Sequence, residues 1–70
     1  MTQTEKILRH LEDIGSITPW EAMRMYGIMR LGARIWDLKR DGYPIQTEII
    51  TGKNRYGEPT RWAVYRMVKP

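Results

Sequence analysis

Apolar residues recur with helical spacing near the start of the chain. Ile7, Leu8, Leu11 and Ile14 fall at i, i+1, i+4 and i+7, one face of a helix over residues 3–14. Thr2 with Glu5 three residues later reads as a reciprocal cap. Gly15 can supply the left-handed backbone that ends the helix. His10 falls on the polar side of this pattern and is expected at the surface. Thr18-Pro19-Trp20-Glu21 is a sharper signal: a cap hydroxyl, a proline at the first helical position and a Glu three residues past the cap. It starts a short helix over residues 19–26. Ala22, Met23 and either Met25 or Tyr26 form its apolar side, with Ile17 as a staple just before the cap. Gly27 stops it.

Ile28, Leu31, Ile35 and Leu38 then share one stripe of a third helix, residues 28–40. Met29, Arg30, Ala33, Asp37 and Arg40 occupy the opposite face, with Arg34 on the flank and Trp36 half-buried beside the stripe. Asp41-Gly42-Tyr43-Pro44 is a strong stop. Beyond it the period changes to two. Ile45, Thr47 and Ile49 alternate in a strand over residues 45–51. A second strand over 60–67 places Ala63, Tyr65 and Met67 on one face and Trp62, Val64 and Arg66 on the other. The polar connector 52–59 is bounded by glycines.

A short helix, a glycine turn and a longer helix make a helix-turn-helix unit. The hairpin that follows makes it winged, an α+β fold within one domain, residues 1–70. The faces carrying Ile45/Ile49 and Ala63/Tyr65/Met67 are expected to pack on the helices.

Composition narrows the function. The 70 residues include 12 Lys+Arg and 8 Asp+Glu, one His and no Cys. Zero Cys removes disulfides, Cys-ligated metals and thiol nucleophiles, and one His removes a multi-His centre. No cofactor or metal is implied. A chain of this length buries only roughly 60% of its unfolded surface, which leaves little interior for a supported catalytic pocket. Glu12/Asp13 and Asp37/Asp41 sit on solvated faces, so an enzyme is the least supported class. No apolar run approaches membrane-spanning length. The first residues carry acids and do not read as a signal peptide, so a cytoplasmic location and no membrane partner are expected.

The charge is unevenly placed. Residues 1–23 carry Lys6 and Arg9 against Glu5, Glu12, Asp13 and Glu21, a net −2. Residues 24–40 carry Arg24, Arg30, Arg34, Lys39 and Arg40 against Asp37, a net +4. Residues 41–70 add +2, from Lys53, Arg55, Arg61, Arg66 and Lys69 against Asp41, Glu48 and Glu58. Eight of the twelve cations are Arg, whose fork suits phosphates and guanine edges.

Ser16 to Ile45 resembles the small helix-turn-helix domains encoded widely by phages and prophages. Their pattern runs loosely I-T-x-x-E-A, then Y-G-I-x-R-L-x-A-R-I, then D-L-R/K-x-x-G. The matching positions are Ile17, Thr18, Glu21, Ala22, Tyr26, Gly27, Ile28, Arg30, Leu31, Ala33, Arg34, Ile35, Asp37, Leu38, Lys39 and Gly42. Ala63-Val64-Tyr65-Arg66 looks like the family's second strand. Gly32 departs from the small residue, such as alanine, expected there. The resemblance implies a winged helix-turn-helix fold and a phage-type regulator.

Residues for double-stranded DNA follow from the docking of such a unit. Helix 28–40 would enter the major groove, with Arg30 on guanine O6 and N7 and Met29 and Ala33 against thymine methyls. Arg40 would meet phosphate. Arg34 has two readings: DNA contact, or a structural pair with Asp37 or Glu21. Lys53, Asn54, Arg55 and Tyr56 form a wing tip for the backbone or minor groove. Thr18 caps its helix and can bring backbone N–H groups to a phosphate. Trp20 and Trp62 are candidates for a protein interface; Trp62 is exposed if Tyr65 faces the core. One small module reads few base pairs, so a homodimer or tandem copies are expected. Regulation and an accessory role in recombination both fit. The rival reading is a protein-binding module directed at a host or phage protein, anchored by Trp20, Trp62, Met23, Met25 and Met29.

Overall fold

The computed structural model describes residues 1–68. Its elements are α1 (Gln3–Ile14), β1 (Ser16–Ile17), α2 (Pro19–Tyr26), α3 (Leu31–Arg40), β2 (Ile45–Lys53) and β3 (Pro59–Met67). Both predicted reciprocal caps form. The Thr2 hydroxyl accepts from the Glu5 N–H while the Glu5 carboxylate accepts from the Thr2 N–H. Thr18 and Glu21 repeat the arrangement at α2, with distances of 3.1 and 2.9 Å. Gly15 and Gly27 end α1 and α2 with positive φ, 101° and 68°.

Three helices close on one core of Ile7, Leu11, Ile17, Ala22, Ile28, Leu31, Ile35, Leu38 and Ile45. Leu8, Tyr26, Tyr65 and Met67 pack against it from its margin. The sheet has three strands in the order β1-β3-β2, both pairings antiparallel. Strand β1 was not foreseen. At two residues it is too short for a periodic signal, and it exists because Ser16 and Ile17 lie opposite Arg66 and Tyr65 of β3.

Register assigns the faces, because directly opposed residues share one side. Ile17, Tyr65 and Thr47 align, as do Ile45 with Met67 and Ile49 with Ala63. This is the helix side: the Tyr65 hydroxyl lies 3.7 Å from where a Gly32 Cβ would stand, and the Lys39 Nζ donates to the Thr47 Oγ1 at 3.2 Å. The other side carries Arg66, Val64 and Trp62. There Arg66 pairs with Glu48 at 2.8 Å, and the Trp62 indole lies over Gly52.

Several expectations need correction. Helix α3 begins at Leu31, not Ile28. Gly27 turns left-handed, the Ile28 N–H bonds back to the Ala22 carbonyl at 3.1 Å, and Arg30 holds a non-helical φ of −114° and ψ of 61°. Ile28 still fills the core, from the turn. His10 is buried, 2% exposed, because it flanks Ile7 on the packed side of α1 and meets the Tyr26 ring of α2. Ile14 is exposed at the helix end. Trp36 is 60% exposed, not half-buried. It lies one position past Ile35, on a flank that neither α1 nor the hairpin covers. Met23 and Met25 are exposed, and Tyr26 is the half-buried member of that set. Ile49 is exposed although it lies on the helix side, because the hairpin runs on beyond the helices. Val64 is buried although it lies on the other side, at the middle of the central strand.

Candidate nucleic-acid interface

The α2–α3 turn positions the first candidate group. Met29 and Arg30 leave the chain between two buried anchors, Ile28 and Leu31. Both are exposed, Met29 by 77%. Arg30 stands at the cap position of α3 with no side-chain bond to the helix N-terminus. It is therefore available to a ligand, and among the described residues it forms no ion pair.

Along α3 the exposed positions divide by direction. Lys39 reaches the hairpin through Thr47. Arg34 reaches the other way, to the Gln3 Oε1 of α1 at 3.4 Å, and its Nε lies 3.1 Å from the Asp37 Oδ2. Of the pairings expected for Arg34, the one with Asp37 forms. Glu21 is occupied by the α2 cap. Between these flanks lie Ala33, half-buried, and Trp36, exposed. The Arg40 guanidinium stacks over the Trp36 ring at 4.9 Å and stands 3.8 Å from both Asp37 and Asp41. A cation held over an indole is steered by the ring's negative face, so Arg40 has a preferred direction despite its exposure.

The wing is longer in strand and shorter in loop than the sequence suggests. Strands β2 and β3 reach Lys53 and Pro59, leaving a turn over 54–58. Asn54 organises that turn. Its Oδ1 accepts from the Tyr56 and Glu58 N–H groups at 2.9 and 3.0 Å, and its Nδ2 donates to the Glu58 carboxylate. Gly57 completes the turn with φ of 77°. Asn54 thus shapes the tip, while Lys53, Arg55 and Tyr56 project from it, all exposed.

Two cations join this group that sequence reasoning did not single out. Lys39 faces the hairpin through its bond to Thr47. Arg61 alternates with Ala63 and Tyr65 and so lies on the helix side of β3. The alternation was a sufficient signal for Arg61. Trp36 also belongs here; its only signal was its offset of one from the core stripe.

Thr18 is half-buried and its hydroxyl is engaged by the cap. It forms, with Pro19, Trp20, Met23, Met29 and Trp62, an open apolar groove of about 580 Å³. Trp20 is 62% and Trp62 45% exposed. The two tryptophans therefore line the same groove, which separation in sequence gave no reason to expect.

The arrangement is a helix-turn-helix with exposed cations on its second helix and on a hairpin that faces it. A family model described as winged helix-turn-helix domain matches residues 2–70, and the chain belongs to that family. Such domains are DNA-binding modules, and membership supports DNA binding by this chain. No curated protein and no solved structure matches it. Among the described residues no helix is long and apolar enough to cross a membrane, and no cluster of three or more His, Cys, Asp or Glu could hold a metal.

Proposed function

We propose that this chain binds double-stranded DNA sequence-specifically, as a small phage- or prophage-type transcriptional regulator or recombination accessory factor. Helix α3 and the turn before it enter the major groove, and the 54–58 turn lies on the backbone or in the minor groove. One observation carries the reading: Arg30, Lys39, Arg40, Lys53, Arg55 and Arg61 are displayed by α3, its entry turn and the facing hairpin. The acids of this region are engaged by partners: Asp37 by Arg34 and Arg40, Glu48 by Arg66, Glu58 by Asn54. Arg34 acts as a brace between α3 and α1 that sets the angle of the helix, with Gln3 and Asp37 as its partners. Thr18 brings the N-terminus of α2 to a phosphate. The domain acts as a dimer or as copies on adjacent sites, since one module spans few base pairs.

Fluorescence anisotropy of labelled duplex across a salt series tests this. Six phosphate-facing cations would give a log–log slope near roughly −5. Arg30→Ala and Arg55→Ala should each weaken binding, and a phosphate-contacting member of the pair should reduce the slope by about 1. Affinity weaker than about 100 μM at low salt, with no slope, would refute the proposal.

The groove between Trp20 and Trp62 favours a second reading, a protein-binding module that takes an apolar side chain of a host or phage partner there. Trp20→Ala with Trp62→Ala separates the two. Loss of biological effect with duplex affinity unchanged supports the partner reading; loss of effect only in the Arg30/Arg55 variants supports DNA.

A further inference from the structure

We propose that α3 reads thymine by its C5-methyl group, with the exposed indole of Trp36 as the main contact and Ala33 one turn before it. The inference rests on the DNA-binding reading and adds which base feature the helix recognises.

The argument begins with what the exposed side of α3 lacks. Base edges in the major groove are read by hydrogen bonds or, at thymine, by apolar contact with the methyl. The hydrogen-bonding side chains of α3 are drawn to its flanks by partners within the protein, which suits phosphates more than base edges. Arg34 is held by Asp37 and Gln3. Asp37, the helix's carboxylate, is neutralised by Arg34 and Arg40. Lys39 is bonded to Thr47. Arg40 is stacked on Trp36 and flanked by Asp37 and Asp41. What remains on the exposed side of the helix is Trp36, with half-buried Ala33 one turn before it; Gly32 faces the Tyr65 hydroxyl, and Met29 lines the groove with Trp20 and Trp62.

This shape suits a methyl. Ala33, one turn before Trp36, keeps this side of the helix slim, so its axis can approach the groove floor. Trp36, 60% exposed, presents a flat apolar surface one turn further on. Exposing an indole to water at the surface of a 70-residue domain forgoes burial that the core could have used. Cations stand along the same helix, Arg40 held over the Trp36 ring and Arg30 exposed at its start. That charge fits the polyanionic groove and disfavours an apolar protein core as the occupant. Arg40 over the ring then lies where a phosphate beside the contacted base would be met.

Replacing thymine by uracil deletes the methyl and leaves every hydrogen-bonding edge intact. The test therefore needs no variant protein. Duplexes selected from a random pool are remade with uracil for thymine and both forms are titrated by anisotropy. The expected result is a loss of about fourfold in affinity per contacted methyl, confined to particular positions of the site. Trp36→Ala should bring the thymine-to-uracil ratio close to one while duplex binding persists through Arg30 and the wing. Circular dichroism checks that this exposed substitution leaves the fold intact. Equal affinity for the two duplexes overturns the methyl inference and leaves DNA binding standing. So does an unchanged ratio in folded Trp36→Ala. Absence of binding to either duplex at low salt overturns the DNA-binding reading itself.

Discussion

His10 and Tyr26 form a polar pair inside an otherwise apolar junction of α1 and α2. The Tyr26 Oη lies 2.7 Å from the His10 Nδ1, and the rings meet edge to face, 5.6 Å apart at 89°. His10 is buried, and its Nε2 has no hydrogen-bond partner among the described residues. Whichever group carries the shared proton, the tyrosine hydroxyl satisfies one ring nitrogen and the other stays unpaired. Tyr26→Phe keeps the ring and deletes that one bond. His10 is then left with both nitrogens buried and unpartnered. Orphaning a buried polar group costs about 1–3 kcal/mol. A domain of this size loses about 4–8 °C in Tm per kcal/mol, so Tm should fall by at least roughly 4 °C. Removing both polar partners should cost less than the single changes predict, because no group is orphaned. The assay is a double-mutant cycle of His10→Leu, Tyr26→Phe and their combination, by urea denaturation with the m-value monitored. A coupling energy indistinguishable from zero, with Tyr26→Phe costing less than about 0.5 kcal/mol, would refute the reasoning.

Three further outcomes follow from local geometry. Gly32→Ala should stabilise the domain by up to about 1 kcal/mol, because helical Ala outscores Gly and the added methyl meets the Tyr65 hydroxyl at an ordinary 3.7 Å; a lower Tm in a thermal melt would contradict this. Thr18→Ala should cost about 1 kcal/mol by breaking the α2 cap, read as a lower urea midpoint, while Thr18→Ser should retain most of it. The Glu5 carboxyl is held below its usual range, first by the Thr2 backbone N–H and then by the Thr2 hydroxyl. Its depressed folded value means that its stabilisation of α1 is present above the ordinary carboxylate range. That stabilisation is lost as pH falls through the depressed value, and an NMR titration of Glu5 should show a smaller depression in Thr2→Ala, which deletes the hydroxyl and keeps the backbone N–H.

Much of the architecture is local chemistry, and so it was legible. Two reciprocal caps, two glycine stops, the stripe Ile28/Leu31/Ile35/Leu38 and the alternating strands depend on neighbours within a few residues. A one-dimensional pattern carries such information in full. The order of these elements then implied the winged fold. The basic character of the third helix and the wing was also readable, because charge stays at the surface wherever the elements pack.

Tertiary structure decided what depends on partners distant in sequence. Amphipathic spacing marks the centre of a buried stripe but not its edges, which are set by the neighbouring elements. His10 and Trp36 both lie at such edges; packing buried the first against Tyr26 and left the second in solvent. Only the pairing of β1 with β3 set the sheet order. Only the closeness of α1 and α3 gave Arg34 its second partner, Gln3, beside the Asp37 of its own helix. The loop at 54–58 read as polar connector, but the carbonyl and amide of Asn54 turned it into a tied tip. Sequence alone thus determined an acidic first helix, a basic helix-turn-helix and a basic hairpin. Three-dimensional packing determined which cations are committed within the protein and which remain for DNA, because an ion pair or a hydrogen bond forms between positions in space, whatever their separation along the chain.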